Sequence, residues 1–507
     1  MLVNGETPRL AVTVLTAIFA VPCAVALPDL IPLPHEIVEM GGTCPAGAEV
    51  RVEKMAGIQA EGYELFVATN GVMIRHSDEA GLFYANVTLG QLRSSGANLP
   101  CVEIKDSPAY RWRGVMVDDA RHFLGKEAIK KVLDLMGQYK LNVFHWHLVD
   151  DQGWRIEIKG HPELVEFGAV RPASVAYGPR PQSRKKGDLR WEYSDERYGP
   201  YFYTQDDIRE ILDYAAARHI TVVPEIEIPG HVRALLAARP DLGCRGEVLE
   251  RRPRIVWGVE SDVLCAGNDV AIRYMEEIFD EVCALFPSEY IHIGGDECPR
   301  GRWKACPKCQ ARKAALGLVD ERDLQAWMTA HFAEYLAKKG KRPVGWDEAL
   351  CGDVPRNMVG MKWRMSDNGD KDGYVSTEAA IARGFDMILT PSGMCYYSLP
   401  QGIPDDPFPY YSPNTHLTLG QSYSFDPMAG LPQSARSHVL GGQASVWTEF
   451  VWNRFDLEYK MWPRTLAMAE ALWSAPQVPR DYQDFRRRAL VHRKRLIAQH
   501  VNCAPIP

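Results

Sequence analysis

The sequence has few features that would mark a nucleic-acid-binding, repetitive or disordered protein. Its 58 Lys and Arg residues are outnumbered by 65 Asp and Glu residues, and the formal net charge is −7, so it offers no basic field to a polyanion. Short-period repeats and long low-complexity tracts are absent from it. A length of 507 residues, with 46% hydrophobic and 24% charged residues, predicts a soluble globular protein of two or three domains.

Long apolar runs are also scarce, and the run at residues 10–20 is short for a membrane span. It follows Arg9 and precedes Ala24-Val25-Ala26, the small-x-small pattern of a signal-peptidase site. Residues 1–26 are therefore predicted to be a signal peptide, with a retained anchor as the alternative because Glu6 makes the leading region less cationic than usual. We expect a secreted or periplasmic protein, lysosomal in a eukaryote, without a stable membrane span after signal removal.

Cysteine is not abundant, and its use is consistent with export. Of 12 cysteines, one would leave with the signal peptide, so at least one thiol stays unpaired within the chain. Cys244 and Cys265 flank a polar loop and are a plausible disulfide. Cys298, Cys306 and Cys309 form a C-x7-C-x2-C pattern, but zinc needs a fourth ligand and none lies nearby in sequence. A disulfide or free thiols are favoured there over a structural metal, and we expect neither a metal ion nor a cofactor.

Residues 28–108 are predicted to form a small α+β domain. Residues 64–67 and 72–75 have strand character on either side of Asn70-Gly71, a strong hairpin signal. Residues 80–92 have the pattern of a helix.

From residue 111 apolar strand-like runs recur, each followed by an amphipathic segment. There are eight runs, at residues 114–118, 142–150, 220–228, 290–297, 343–349, 358–364, 385–392 and 439–447. Residues 126–140 and 268–286 carry apolar side chains at helical spacing, and Thr204 with Asp207 is an N-cap signature. The pattern predicts an α/β fold, a (β/α)8 TIM barrel over residues 111–500 preceded by the small α+β accessory domain.

The fourth run ends in two glycines followed at once by Asp296 and Glu297. Two carboxylates that close rarely ionise together, so one pKa is raised, as a general acid requires. An isolated Asp-Glu pair is more often the acidic first turn of a helix. The other strand ends decide between these interpretations.

Reactive residues of such a barrel gather at the C-terminal ends of its strands. Arg121 alone could merely pair with a carboxylate, and His231 alone could be an ordinary loop histidine. Acids, aromatic rings and arginine, distributed over the eight ends, together suit an uncharged polyol ligand better than packing does. The residues at those ends are Asp119, Arg121, Asp150, Asp151, Glu225, Glu227, His231, Asp296, Glu297, Trp346, Asp347, Glu348, Trp363, Arg364, Tyr396, Tyr397, Trp447 and Glu449.

Five segments in order resemble the glycoside hydrolase family 20 β-N-acetylhexosaminidases. They are residues 112–114, 119–123, 145–155, 224–231 and 292–297. The N-terminal α+β domain is similar to the family's accessory domain. The resemblance implies an exo-acting, retaining enzyme that removes terminal non-reducing GlcNAc or GalNAc from glycans or chitooligosaccharides. It also implies substrate-assisted catalysis through an oxazolinium intermediate.

The same resemblance implies roles for individual residues. Glu297 would be the general acid/base, and Asp296 would orient and charge-stabilise the 2-acetamido group. Tyr396 would hydrogen-bond the acetamido oxygen, and Arg121 would grip ring hydroxyls. The remaining implied pocket residues are Trp346, Trp363 and Trp447 as walls, Glu449 as a hydroxyl ligand, and Asp150 with His231 as the pair that positions the acid.

The chain departs from the family's pattern at Ser398, where an aspartate that binds the sugar's 4- or 6-hydroxyl is common. Because serine is uncharged, one hypothesis is a pocket that accepts a 6-sulfated or otherwise substituted sugar, assisted by a basic loop. That loop contains Arg184, Lys185, Lys186 and Arg190. The favoured alternative is that another polar group replaces the aspartate and the loop is a solvated surface.

Two functions of other kinds are the alternatives to this one. A non-catalytic carbohydrate-binding relative would need a damaged acid pair, and both Asp296 and Glu297 are present. A barrel hydrolase with two separated carboxylates, for instance Asp150 and Glu297, would still act on a substrate that lacks the acetamido group.

Overall fold

The computed structural model describes residues 28–507 except 95, 97, 176–192, 195, 247–250, 366–373, 405, 408–415, 475 and 477. The predicted signal peptide at 1–26 and the basic loop at 184–190 lie outside the described residues. Within the described ranges, no helix combines the length and the apolar character that crossing a bilayer requires.

Fifteen strands are found in the described part of the chain. They are β1 (Glu36–Pro45), β2 (Val50–Lys54), β3 (Tyr63–Ala68), β4 (Gly71–His76), β5 (Asn98–Asp106), β6 (Trp112–Asp118), β7 (Val143–His147), β8 (Val149–Asp150), β9 (Gly153–Trp154), β10 (Thr221–Glu225), β11 (Tyr290–His292), β12 (Arg342–Trp346), β13 (Val359–Lys362), β14 (Asp386–Leu389) and β15 (Val439–Val446).

The helices of the described residues lie between these strands and after the last one. They are α1 (Glu79–Arg93), α2 (Lys126–Gln138), α3 (Glu163–Gly168), α4 (Gln205–Ala216), α5 (Arg233–Ala238), α6 (Asp269–Leu285), α7 (Gly301–Ala305), α8 (Pro307–Ala315), α9 (Glu321–Lys338), α10 (Thr377–Ala382), α11 (Ser392–Cys395), α12 (Leu419–Tyr423), α13 (Arg454–Met461), α14 (Arg464–Trp473) and α15 (Tyr482–Ala498). Short 3₁₀ turns occupy Pro240–Leu242, Asp347–Leu350 and Gln433–His438.

The N-terminal domain is one five-stranded sheet in the order β1-β5-β3-β4-β2, with α1 packed on β3 and β4. The predicted hairpin around Asn70-Gly71 is confirmed, because β3 and β4 pair antiparallel with Ala68 opposite Gly71. The predicted helix is also confirmed as α1, whose N-cap Asp78 accepts a hydrogen bond from the backbone of Gly81.

The eight predicted barrel strands are confirmed. Strands β6, β7 and β10 to β15 are all parallel and close into a barrel, with β15 paired to β6 through Gly441 opposite Trp112. Nearly every residue of these strands is buried, as expected for parallel strands covered on both faces. Most of them end earlier than predicted, because the polar residues at the end of each run belong to the loops above the barrel mouth.

The predicted helices cover the barrel. In α2 the side chains of Ile129, Val132, Leu133 and Met136 are at most 4% exposed, which accounts for their helical spacing in the sequence. The N-cap signature before α4 is a complete capping box, in which Thr204 accepts from the backbone of Asp207 and the Asp207 side chain accepts from the backbone of Thr204.

A buried cation joins the two domains. Lys140, which follows α2, is 1% exposed, and its Nζ donates to Oδ2 of Asp106 on β5 at 2.9 Å and to the hydroxyl of Tyr63 at 2.8 Å. Trp473, at the end of α14, donates from Nε1 to the same Asp106 carboxylate and stacks under the ammonium. The small domain is therefore attached to the barrel by charged and aromatic groups that neither domain could bury alone.

The expected disulfide between Cys244 and Cys265 is not formed, and this prediction was wrong. Both are thiols, as are all eleven described cysteines. They lie in a group with Cys306 and Cys309, whereas Cys298, which the sequence pattern had joined to the last two, is not a member of that group. The prediction failed because the spacing between Cys244 and Cys265 carries no information on the segment with Cys306 and Cys309 that folds against them.

Candidate active site

The loop after β11 carries the acid pair, and its two glycines are required by its backbone. Gly294 and Gly295 have φ of +65° and +99°, in the left-handed region that side chains disfavour. A Cβ on Gly294 would lie 1.7 Å from Oε2 of Glu227, and one on Gly295 would lie 2.8 Å from Cβ of Ala349. Only glycine lets the chain turn this closely and deliver Asp296 at the barrel mouth.

His231, in the loop after β10, stands beside both acids. Its Nε2 lies 3.7 Å from Oδ2 of Asp296 and 3.6 Å from Oε2 of Glu297. His231 and Glu297 have φ of 51° and 44°, a left-handed conformation that is costly for residues other than glycine. Two strained residues facing each other across 3.6 Å are typical of a site held in place by its surroundings.

Asp150 holds the opposite edge of the imidazole. Its Oδ1 lies 3.3 Å from Nδ1 of His231, and its Oδ2 forms an ion pair with Nη2 of Arg121 at 2.7 Å and accepts from Nε2 of His147 at 3.0 Å. Arg121 also contacts Asp118 at 3.1 Å and is 7% exposed. Most of the guanidinium of Arg121 is thus occupied by carboxylates. This agrees with the interpretation of the sequence in which Arg121 pairs with acids.

The pKa values of the two acids differ from the simplest expectation, which is a raised pKa at the general acid Glu297. Burial raises the pKa of Asp296 to about 6, with a further rise from Glu297 that His231 opposes. The contact with His231 holds the pKa of Glu297 below its ordinary value. Of the two acids, Asp296 and not Glu297 therefore has the raised pKa. Glu297 is also the more exposed of the two, at 45% against 13% of the side chain, so burial raises its pKa less.

His231 itself is a buried cation. Burial alone would lower its pKa, but the charges of Asp150 and Asp296 raise that pKa well above the ordinary value. The pKa of Asp150 is in turn held well below its ordinary range, since Arg121 and His231 outweigh the effect of burial. The site thus contains a charged Asp150–His231 pair directly behind Glu297.

A deeper polar network supports this pair, and sequence reasoning assigned it no role. Glu225, at the end of β10, is fully buried and accepts from Nε1 of Trp346 at 2.7 Å. The imidazoles of His145, His147 and His292 lie 3.1, 2.5 and 2.8 Å from its carboxylate oxygens. Because His147 also donates toward Asp150, an unbroken chain of contacts runs from the barrel interior to Glu297. Three histidines on β7 and β11, the two strands that flank β10, were the available sequence signal.

Four aromatic rings form a connected wall beside the acids. Trp363 and Tyr396 are nearly parallel with centroids 6.3 Å apart, and Tyr396 lies 6.0 Å from Trp447. Trp447 lies 5.9 Å from Trp346 and beneath the guanidinium of Arg121 at 5.0 Å. Burial together with the nearby charge of Asp296 raises the pKa of the Tyr396 phenol well above its usual value, so the hydroxyl keeps its proton.

Glu348 connects the acid loop to this wall, and sequence reasoning gave it no function. One carboxylate oxygen accepts from Nε1 of Trp363 at 3.0 Å, and the other accepts from the backbone N–H of Glu297 at 3.4 Å and pairs with Arg364. Burial raises the pKa of Glu348 well above its ordinary value, with contributions from Asp347 and Asp296.

The remaining predicted site residues lie in the loops around this cluster. Glu449 follows β15 and is half-buried, and burial raises its pKa against the opposing charge of Arg121. Ser398 lies two residues after Tyr396 and is 8% exposed. Glu227 is buried against Gly294, and neither of its carboxylate oxygens has a hydrogen-bond partner among the described residues. Burial and the charge of Asp296 raise the pKa of Glu227 well above its ordinary value.

Comparison with known proteins agrees with this geometry. A beta-hexosaminidase of Porphyromonas gingivalis is 42% identical over 454 residues, which cover 87% of this chain and 54% of that protein; the chain spans about half the length of this relative. The crystal structure of a beta-N-acetylhexosaminidase superposes with a TM-score of 0.83 at 30% identity, covering 94% of this chain and 96% of the other.

A second solved structure is the GH20 exo beta-N-acetylglucosaminidase of Vibrio harveyi in complex with N-acetylglucosamine. It superposes with a TM-score of 0.80 at 30% identity, covering 94% of this chain and 78% of the other. The family profile described as "Glycosyl hydrolase family 20, domain 2" matches residues 43–107, and that described as "Glycosyl hydrolase family 20, catalytic domain" matches residues 110–476. On the fold, the acid loop and these matches, the chain belongs to glycosyl hydrolase family 20.

Proposed function

We propose that the protein is an exo-acting, retaining β-N-acetylhexosaminidase that removes terminal GlcNAc or GalNAc by substrate-assisted catalysis. The observation that carries the proposal is the position of Asp296 and Glu297 against one nitrogen of His231, at 3.7 and 3.6 Å. Family membership and the N-acetylglucosamine bound by the Vibrio harveyi structure support the same sugar class.

The adjacency of the two acids argues for a nucleophile that belongs to the substrate. A retaining pair of carboxylates flanks the glycosidic bond with the two groups about 5 Å apart, one on each side of the sugar. Asp296 and Glu297 are adjacent in one loop and both lie against Nε2 of His231, so they would face the sugar from the same side. In the proposed reaction the acetamido oxygen attacks the anomeric carbon, the bond to the aglycone breaks, and Glu297 protonates the leaving oxygen. Water then attacks the oxazolinium and returns a proton to Glu297.

Asp296 would accept a hydrogen bond from the acetamido N–H and offset the positive charge that develops on it. A buried carboxylate with an unpartnered oxygen, Oδ1, is suited to that role because a new partner costs it no existing hydrogen bond. The Tyr396 hydroxyl would donate to the acetamido oxygen, and the aromatic wall of Trp363, Tyr396 and Trp447 would enclose the N-acetyl group.

Protonation of Glu297 must accompany binding, because its pKa is lowered in the free site. A sugar in the cleft would exclude water from the Glu297 carboxylate and so raise its pKa. His231 is a cation in contact with the same carboxylate and would supply the proton. The Asp150–His231 pair would then act as a positioning pair that keeps the proton near the leaving group.

The two-carboxylate alternative with Asp150 as nucleophile is disfavoured by the contacts of that residue. Asp150 is 1% exposed, and both of its oxygens are engaged, by Arg121, His147 and the backbone N–H of Asp151. A nucleophile must be free to approach the anomeric carbon.

A panel of p-nitrophenyl 2-acetamido and 2-hydroxy glycosides tests the proposal, with a thiazoline analogue of the intermediate as inhibitor. We expect turnover of the 2-acetamido glycosides only, and competitive inhibition by the thiazoline. Comparable rates on the 2-hydroxy series, or a covalent glycosyl adduct trapped on any side chain, would refute the substrate-assisted mechanism. Absence of turnover in the whole panel would refute the activity itself.

A further inference from the structure

Four cysteines from three separate segments meet beside the acid loop. Sγ of Cys309 lies 3.7 Å from that of Cys244 and 3.6 Å from that of Cys265, and Sγ of Cys265 lies 3.8 Å from that of Cys306. All four sulfur atoms lie within 4.8 Å of one another. Three of the side chains are at most 4% exposed, and Cys244 is half-buried.

These distances fit a metal-centred tetrahedron better than a pair of disulfides. With a Zn–S bond of about 2.3 Å, sulfur ligands at the corners of a tetrahedron are about 3.8 Å apart. A disulfide would require about 2.05 Å. The measured spacings of 3.6 to 3.8 Å therefore leave the centre of the group at a suitable distance from each sulfur.

The backbone around the cysteines is also arranged for thiolate ligands. Cys306 is the N-cap residue of α8 and Cys309 lies in its first turn, where the helix dipole favours negative charge. A Cβ on Gly267 would lie 2.1 Å from the carbonyl carbon of Lys308, so the two cysteine turns approach each other as closely as glycine allows.

We propose that Cys244, Cys265, Cys306 and Cys309 bind one structural zinc ion through four thiolates. The donor set is sulfur only, which favours zinc over magnesium or calcium, and four protein ligands leave no open position for substrate or water. The proposal is independent of the enzymatic activity proposed above, since it concerns the fixing of loops and not a reaction.

The ion would tie the two loops that carry the functional residues. Leu264, beside Cys265, donates from its backbone to Pro229, two residues before His231. Trp303 of α7, in the segment that leads from Glu297 to α8, donates from Nε1 to the carbonyl of Leu264 at 2.9 Å. A metal centre at the ends of these segments would hold the His231 loop against the Glu297 loop.

Metal analysis of the purified full-length protein, produced in zinc-containing medium, tests the proposal directly. We expect one zinc per chain, four sulfur neighbours at about 2.3 Å by X-ray absorption, and release of the zinc on titration with a mercurial. Replacement by Co²⁺ should give the visible absorption of a tetrahedral thiolate complex.

Substitutions locate the ion. Cys265→Ser and Cys309→Ser should each lower the bound zinc at least tenfold, whereas Cys283→Ser, on α6 and outside the group, should retain it. The X-ray absorption measurement needs only the unmodified protein, so the test does not depend on the variants folding. Three results would each overturn the proposal. The first is a disulfide within the group, and the second is a native protein that contains no zinc and whose group cysteines react with an alkylating reagent. The third is zinc retained by both Cys265→Ser and Cys309→Ser.

Discussion

Oδ1 of Asp150 lies 3.3 Å from Nδ1 of His231, on the opposite edge of the imidazole from the acid pair. The aspartate is ionised and fully buried, so it keeps the imidazole charged and fixes the direction in which Nε2 points. The protonation of Glu297 therefore depends on a residue that the substrate does not have to touch.

Replacement of Glu297 by Gln should lower turnover by a factor of about 10² to 10⁴, the usual contribution of a general acid. Aryl glycosides with very good leaving groups should be affected less, because their oxygen needs little protonation. Steady-state kinetics on a leaving-group series measure both effects. Glu378→Gln, an exposed substitution on α10, is the matched control; near-normal turnover by Glu297→Gln would remove Glu297 from the reaction.

The pH profile should report Asp296. If Asp296 acts as an anion, kcat/KM should fall as the pH drops below about 6, because its carboxyl then becomes protonated. Asp296→Asn should abolish this acidic limb and lower kcat/KM by about 10²-fold or more, and it should weaken thiazoline binding. An unchanged acidic limb in Asp296→Asn would assign the titration to another group.

Asp150→Asn should act through His231. Loss of the buried negative charge should lower the pKa of His231, so the alkaline limb of kcat/KM should move to lower pH. We expect an activity loss of about 10 to 100-fold, typical of a buried residue that orients a functional one. Asp213→Asn, exposed on α4, provides the control, and a uniform loss at every pH would indicate a merely structural role for Asp150.

Gly294→Ala should destabilise the protein by on the order of 3 kcal/mol, through left-handed strain and a forced displacement of Glu227. Gly301→Ala is the counterpart, because its added Cβ meets nothing within 4 Å and its φ is ordinary; it should change stability by less than about 0.5 kcal/mol. Urea unfolding followed by fluorescence compares the two, and equal stabilities would contradict the close packing of the acid loop.

Ser398→Asp tests the modified-sugar hypothesis. We expect the ratio of rates on 6-sulfated and unsulfated aryl N-acetylglucosaminides to stay unchanged, as the favoured alternative requires. A large fall in that ratio would instead indicate that the missing anion matters for substituted sugars. A surface Ser→Asp change at Ser424, which is exposed, controls for charge alone.

The sequence predicted the barrel strands well because each is buried on both faces and reads as a continuous apolar run. It missed β1 and β2 because most of their residues are exposed, so neither has a clear apolar alternation. Strand β5 alternates only in part. Strand β1 pairs with β5 and β2 pairs with β4, and no local sequence pattern reveals such partners.

The candidate site divides in the same way. Asp296 and Glu297 are adjacent in sequence, so their association could be predicted, whereas the group of Glu225 with His147 and His292 is assembled from three strands. Glu348 reaches the backbone of Glu297 from a 3₁₀ turn 51 residues away. Such contacts follow from barrel closure, and a reading of single motifs cannot supply them.

The ammonium of Lys140, enclosed by Asp106, Tyr63 and Trp473, couples the stability of the two domains. Removal of the N-terminal sheet would take Asp106 and Tyr63 away from this ammonium and uncover Trp473, so the barrel would lose a buried ion pair and its aromatic cover. The sheet has its own hydrophobic core, and Trp473 from the barrel domain packs into that core. Heating or denaturant should melt both halves in one cooperative step.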